Sequence, residues 1–198
     1  MNIVFDLGGV VFNWQPDAIV RSVFPDTSTR ALAKRKIIEH NDWLELDRGT
    51  LSRSDAIARS ASRTGLSVDS VTRLFDAVPP SLTPIEETLA LIRALGETEH
   101  RLFVLSNLGL ETMAYLERQY DIWDAFCGVV VSSRIGKVKP ELDIYHYLLQ
   151  EHRLTASDTV FIDDIEANLL AAATLGIQTI QFVGPAQCRR DLEVLNCL

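Results

Sequence analysis

The chain has 198 residues, 47% hydrophobic, 23% charged and 8% aromatic, ordinary proportions for a folded globular protein with enough length to bury a core without disulfide or metal staples. Only ten Gly and seven Pro exclude collagen-like or low-complexity sequence. Nineteen basic residues against 27 acidic ones give a net charge of −8, a poor match to nonspecific nucleic-acid binding.

In chain order, Ile3–Asp6 reads as a buried strand, a β-rich apolar run closed by a carboxylate. Residues 15–83 then show helical periodicity without a strand, at Ala18–Phe24, Thr29–Glu39, Ser52–Ser62 and Val68–Phe75, and Pro79, Pro80 and Pro84 mark its end. Leu102–Ser106, Val129–Ser132, Thr159–Asp163 and Thr179–Val183 complete a set of strands, separated by helical patterns at about residues 109–120, 140–151 and 166–175. Pro140 suits a first helical position and Gly176 a helix stop. Unbroken apolar strands alternating with helices predict an α/β fold, a Rossmann-like parallel sheet covered on both faces. The expected division is a core of residues 1–14 and 84–198, with 15–83 a helical cap over the carboxyl ends of the strands, where such sheets bind ligands.

The three cysteines, Cys127, Cys188 and Cys197, make no zinc spacing and no even disulfide framework. The start Met-Asn-Ile-Val-Phe-Asp lacks a signal-peptide pattern, and no apolar run approaches membrane-spanning length. A cytoplasmic chain without membrane or nucleic-acid partners is expected, its oligomeric state open.

Polar residues follow the strand ends in a consistent way. Asp6 closes the first, Ser106-Asn107 the second and Asp163-Asp164 the fourth, while Lys139 stands just before Pro140. Each has a plain alternative as turn former, helix cap or solvated charge. Together they predict one site, because the ends of parallel strands share an edge. Three carboxylates crowded there repel unless a cation compensates. An all-oxygen donor set without Cys or His favours Mg²⁺. Lys139 adds a second positive charge, backbone N–H groups after Ser106 can take phosphate oxygens, and Asp6 becomes a carboxylate nucleophile.

Asp6-Leu7-Gly8-Gly9-Val10, Leu105-Ser106-Asn107, Lys139-Pro140 and Phe161-Ile162-Asp163-Asp164 resemble, in order and spacing, the four motifs of the haloacid-dehalogenase-like (HAD) hydrolases, over residues 2 to 184. The insertion resembles the small C1 cap of the subgroup that contains sugar-phosphate phosphatases, and Trp43-Leu44-Glu45-Leu46-Asp47-Arg48-Gly49 looks like a cap segment of bacterial glucose-1-phosphate-phosphatase-like members. The resemblance implies a phosphatase acting on a small phosphorylated metabolite, a sugar phosphate being plausible, through an aspartyl-phosphate on Asp6 that water then hydrolyses. It implies Mg²⁺ held by Asp6, the Gly8 carbonyl, Asp163 and Asp164, with Asp164 the favoured direct ligand and Asp163 a ligand or its support. Ser106, the Asn107 backbone and Lys139 would grip the phosphoryl group, and Asn168 is a candidate to orient Asp164, with a plain polar helix residue as the alternative.

One position departs from the pattern. Phosphatases of this family usually carry an acid–base Asp two residues after the nucleophile, and here that residue is Gly8. Either a water or a neighbour such as Asp17 substitutes, or activity is confined to esters with good leaving groups, such as sugar 1-phosphates. The rival readings are a 2-haloacid dehalogenase, which needs no metal and leaves Asp163-Asp164 unexplained, and a degenerate phosphate-binding or regulatory protein, supported by Gly8. Trp14, Trp43 and Arg48 are candidates for the substrate pocket, with cap–core packing as the alternative for the tryptophans and a loop ion pair for Arg48.

Overall fold

A computed structural model describes all 198 residues. Five parallel strands form one sheet in the order β3-β2-β1-β4-β5: β1 is Asn2–Phe5, β2 Arg101–Ser106, β3 Gly128–Val131, β4 Thr159–Asp163 and β5 Gln178–Gln181. The three central strands are almost wholly buried, which is why they read as continuous apolar runs rather than alternating ones. β5 differs from the expectation: it starts one residue earlier, stops before Phe182, and only Ile180 is buried. As an edge strand it has one open side, so its polar residues face water.

Side chains divide between the faces with a period of two. Ile3, Phe5, Val104 and Ile162 join the larger apolar cluster, and Val4, Phe103, Leu105 and Phe161 the smaller. The larger is closed by helices α6 (Glu86–Gly96), α7 (Leu110–Gln119) and α11 (Pro185–Val194). The smaller is closed by α9 (Leu142–Glu151) and α10 (Glu166–Ala173).

Between β1 and α6 the chain is helical: α1 (Pro16–Val23), α2 (Thr27–Ala33), a π-helical turn Lys34–Ile38, α3 (Asn41–Arg48), α4 (Arg53–Thr64) and α5 (Val68–Ser81). Asp26, Ser52 and Ser67 cap α2, α4 and α5 by accepting from Thr29, Asp55 and Ser70 N–H groups, the expected use of such residues. Three differences from the sequence reading stand out. α3 and α6 occupy stretches given no element. α5 runs on through Pro79 and Pro80, which sit in its final turns, where few helical bonds remain to be lost. α9 begins at Leu142 rather than Pro140, with Glu141 extended as its N-cap.

No helix is long and apolar enough to cross a membrane. The cysteines are unpaired, Cys188 and Cys197 buried and Cys127 exposed.

Candidate active site

The register of the three central strands assembles the site. Asn2 of β1 lies opposite Arg101 of β2 and Thr159 of β4, so the three chains leave the sheet side by side. The Asp6 N–H extends the ladder one step by donating to the Ile162 carbonyl at 2.9 Å. Asp6 is therefore placed by the sheet itself, and its Oδ1 accepts from the Leu7 N–H at 2.7 Å.

Lys139 reaches in from the loop before α9. Its ammonium sits 2.9 Å from Asp6 Oδ1 and 2.7 Å from Asp163 Oδ2, and all three residues are buried. The loop is held by Asn107, whose Oδ1 accepts from the Lys139 N–H at 2.8 Å while its Nδ2 donates to the Lys139 carbonyl at 2.9 Å. The clasp holds a turn over residues 138–141, closed by the Glu141 N–H donating to the Val138 carbonyl at 3.0 Å, and α9 starts after it. Sequence reasoning gave the Asn107 backbone to phosphate; its side chain has a separate part, positioning the lysine. The next backbone donor, Leu108 N–H, is taken by Ser132 Oγ. Ser106 is buried beside Asp6.

Asp163 is saturated by protein donors. Its oxygens accept from the Ile165 N–H, from Asn168 Nδ2 twice, and from Lys139 Nζ, which fills its roughly four acceptor sites. Asn168 therefore orients Asp163, not Asp164 as expected. Asp164 is the exposed member of the pair and lies close against Gly9: a Cβ on Gly9, whose φ is +79°, would stand 2.5 Å from Asp164 Oδ2. Glycine is required there by both the left-handed backbone and the approach of the carboxylate.

Asp6, Asp163 and Asp164 each offer an oxygen within 4.8 Å of the others. One ammonium faces three carboxylates, and the electrostatics reflect the deficit. Burial pushes Asp6 up to about 7, with Asp163 adding to the rise and Lys139 opposing it. Burial and the charge on Asp163 also raise Asp164. For Lys139, burial works against the charge but Asp6 and Asp163 outweigh it, so its pKa is raised. A hard divalent cation fits this set: every donor is oxygen, the geometry is close, and two positive charges are wanting.

A cavity of about 400 Å³ opens over the cluster, reaching Asp6, Gly8, Ser106, Lys139 and Asp164. Trp14 and Trp43 border it and also pack against the core, their ring centroids 6.2 Å apart, and Trp43 packs on Phe75 at 5.3 Å. Arg48 does not line it. Its guanidinium grips Glu141 with two hydrogen bonds of 2.7 Å, tying α3 to the loop that carries Lys139. Asp17 is also elsewhere, paired with Lys34 on the surface at 2.7 Å. The acid that sequence reasoning overlooked is Asp47, which faces both this cavity and an adjoining one of about 990 Å³ walled by Trp43, Leu46, Phe75, Val78, Leu110 and Tyr115.

The family model described as haloacid dehalogenase-like hydrolase matches residues 3–182. The chain belongs to that family. Among relatives of this HAD-like hydrolase, the sesquiterpene phosphatase of Aspergillus oryzae is 26% identical over 195 residues, covering 98% of this chain and 96% of the relative. The D-ribitol-5-phosphate phosphatase of Bacteroides thetaiotaomicron is 24% identical over 210 residues, covering 98% and 97%. A HAD family enzyme from Bacteroides thetaiotaomicron, crystallised with magnesium and inorganic phosphate, shares the fold with a TM-score of 0.71 at 22% identity, over 91% of this chain and 92% of that one.

Proposed function

We propose that this HAD-like hydrolase is a Mg²⁺-dependent phosphatase of small phosphate monoesters that works through an aspartyl-phosphate on Asp6. The observation that carries the reading is the buried Asp6 carboxylate held 2.9 Å from the Lys139 ammonium, with two further carboxylates within 4.8 Å. Two full-length relatives named as phosphatases point the same way.

In this reading Asp6, Asp164 and the Gly8 carbonyl hold the cation directly, and Asp163 anchors Lys139 while adding charge to the site. When bound, Mg²⁺ supplies charge neutralisation, which lets phosphate approach a cluster of acids. Asp6 attacks phosphorus through its free oxygen, Lys139 and the Ser106 hydroxyl hold the equatorial oxygens, and the bond to the leaving alcohol breaks in line. The helices of residues 15–83 act as a cap that excludes water from the chamber, and Trp14 and Trp43 contact the alcohol portion. The acidic cluster favours this chemistry over dehalogenation, which has no use for it.

A sugar phosphate and the C1-cap, glucose-1-phosphatase-like subgroup are the finer expectations carried from the sequence. A second substrate reading is favoured by the aromatic and aliphatic walls of the adjoining 990 Å³ cavity and by the relative named as a sesquiterpene phosphatase: a phosphate ester of a bulky apolar alcohol.

The test is phosphate release from p-nitrophenyl phosphate. Turnover is expected with Mg²⁺, not in EDTA, and Asp6→Asn is expected to lower it by roughly 10³-fold or more. Equal rates with and without the metal reject the assignment.

A further inference from the structure

The reaction just described leaves an alcohol oxygen in need of a proton, and Gly8 has no side chain to give one. We infer that Asp47 is the acid–base residue of this chain, protonating the leaving oxygen of the ester and then accepting a proton from the attacking water. The inference rests on the phosphatase reading and supplies a step that reading lacks.

Four acids line the chamber over Asp6: Asp6 itself, Glu39, Asp47 and Asp164. Asp6 is the nucleophile, and Asp164 belongs to the cation cluster. Glu39 is exposed at the rim, near the Lys34 ammonium at 3.9 Å. Asp47 has no ion-pair partner and lies outside the cation cluster; the donor facing its carboxylate is the Gly109 backbone N–H. It also lines both the chamber over Asp6 and the larger adjoining cavity, so an ester whose alcohol portion extends from the first into the second carries its bridging oxygen past it.

The residue is held there by the fold. Asp47 lies in the last turn of α3, its carbonyl accepting from Ser132 Oγ. The helix ends at Gly49, with φ +83°, where a Cβ would stand 2.5 Å from the Ser133 carbonyl oxygen. This contact pins the end of α3 to the segment after β3, so Asp47 is fixed relative to the sheet edge. Burial and the nearby charge of Asp6 push its carboxyl up to about 7, which keeps a substantial protonated fraction at neutral pH, as a general acid requires.

The proton count closes. In the first step an Asp6 oxygen bonds to phosphorus, the electron pair of the phosphorus–oxygen bond goes to the alcohol oxygen, and the Asp47 proton follows it. In the second, water attacks phosphorus, Asp47 takes the proton released, and the electron pair returns to the Asp6 carboxylate. The sum is ester plus water to alcohol plus phosphate, with both acids restored.

The experiment compares esters that differ in their need for an acid: p-nitrophenyl phosphate, whose phenolate leaves without a proton, and the alkyl esters n-hexyl phosphate and glucose 6-phosphate. Asp47→Asn is expected to lower the first-turnover rate of alcohol release from the alkyl esters by roughly 10²–10⁴-fold, while first-turnover release of p-nitrophenol stays within about tenfold, which also shows the variant is folded. Steady-state turnover, which includes the water step that Asp47 serves, falls on every ester. Adding Gly8→Asp to Asp47→Asn should restore alkyl-ester turnover, since a Cβ at Gly8 would meet only Trp14 Cβ at 3.8 Å and Trp14 Cγ at 4.0 Å. Equal loss of first-turnover release on all three substrates, or no loss, overturns the inference. So does a wild-type chain that hydrolyses p-nitrophenyl phosphate but neither alkyl ester. Absence of turnover on all three sinks the phosphatase reading itself, a separate outcome.

Discussion

At the scale of single residues, the site depends on positions where a side chain is absent as well as on those where one is present. Gly9 lets Asp164 approach closer than any Cβ would allow. Gly9→Ala is expected to displace that carboxylate and weaken Mg²⁺ dependence, raising the metal concentration for half-maximal activity roughly 10–100-fold, the range typical of disturbed metal-site support. Titration of activity with MgCl₂ checks this; an unchanged midpoint would show that Asp164 does not bind the ion. Asp6, Ser106 and the Asp163-Asp164 pair were legible in the sequence because each is a polar residue stopping an apolar strand. Asp47 was not, because a lone acid among charged neighbours on α3 looks like any solvated helix residue until the other wall of the cavity is in place. Arg48 stood open between a pocket and an ion pair, and a carboxylate 93 positions away decides for the pair.

At the scale of elements, the helical insertion is locked together by polar contacts as well as apolar ones. Arg63 of α4 donates to the Lys36 carbonyl of the π-helical turn and to Asp42 of α3 at 2.8 Å each. The Arg63 guanidinium holds the Asp42 carboxyl below its ordinary value. A depressed folded-state value means the stabilisation is present above the unfolded carboxylate range near 3.8 and is lost as pH falls through the lower folded value. Asp42→Asn should therefore cost about 1.5–3 kcal/mol at pH 7, the worth of charge-assisted hydrogen bonds, and progressively less as the pH falls below 3.8, with urea unfolding across that range as the measurement. A loss independent of pH would assign the effect to packing. The strands and most insertion helices were legible from periodicity, within a residue or two at their ends. The signal for α6 is also present, since Leu89, Ile92 and Leu95 recur at helical spacing and are buried. The start of α9 was not legible, because a clasp from Asn107, 32 positions away, decides it.

At the scale of the molecule, the cation cluster is a stress that binding relieves. Three carboxylates and one ammonium share a buried edge, and a ligand that binds only the folded form stabilises it by mass action, about 2.7 kcal/mol at a hundredfold excess over its dissociation constant. For a chain of this size that is a rise in Tm of roughly 5–11 °C. Thermal unfolding in EDTA and in increasing MgCl₂ should show this rise in the wild type and lose most of it in Asp164→Asn. A flat Tm in the wild type would reject the cation assignment. That the fold class was readable from one sequence follows from how strongly burial on both faces constrains a parallel strand. Substrate choice was not readable, because the chamber is shaped by side chains from five helices whose mutual placement no local pattern encodes.

The central position of β1 has a further consequence for how the protein comes into being. Its two neighbours, β2 and β4, begin at Arg101 and Thr159, so the strand that carries the nucleophile waits for about half of the polypeptide before one edge is satisfied and for most of it before both are. Such distant pairings make folding slow, and a nascent or truncated chain that ends before Thr159 has neither the acidic doublet nor the strand that sets Asp6. Catalytic competence should thus return only in the final kinetic phase of refolding, after far-UV helical signal has recovered, making turnover a readout of the last crossover to close.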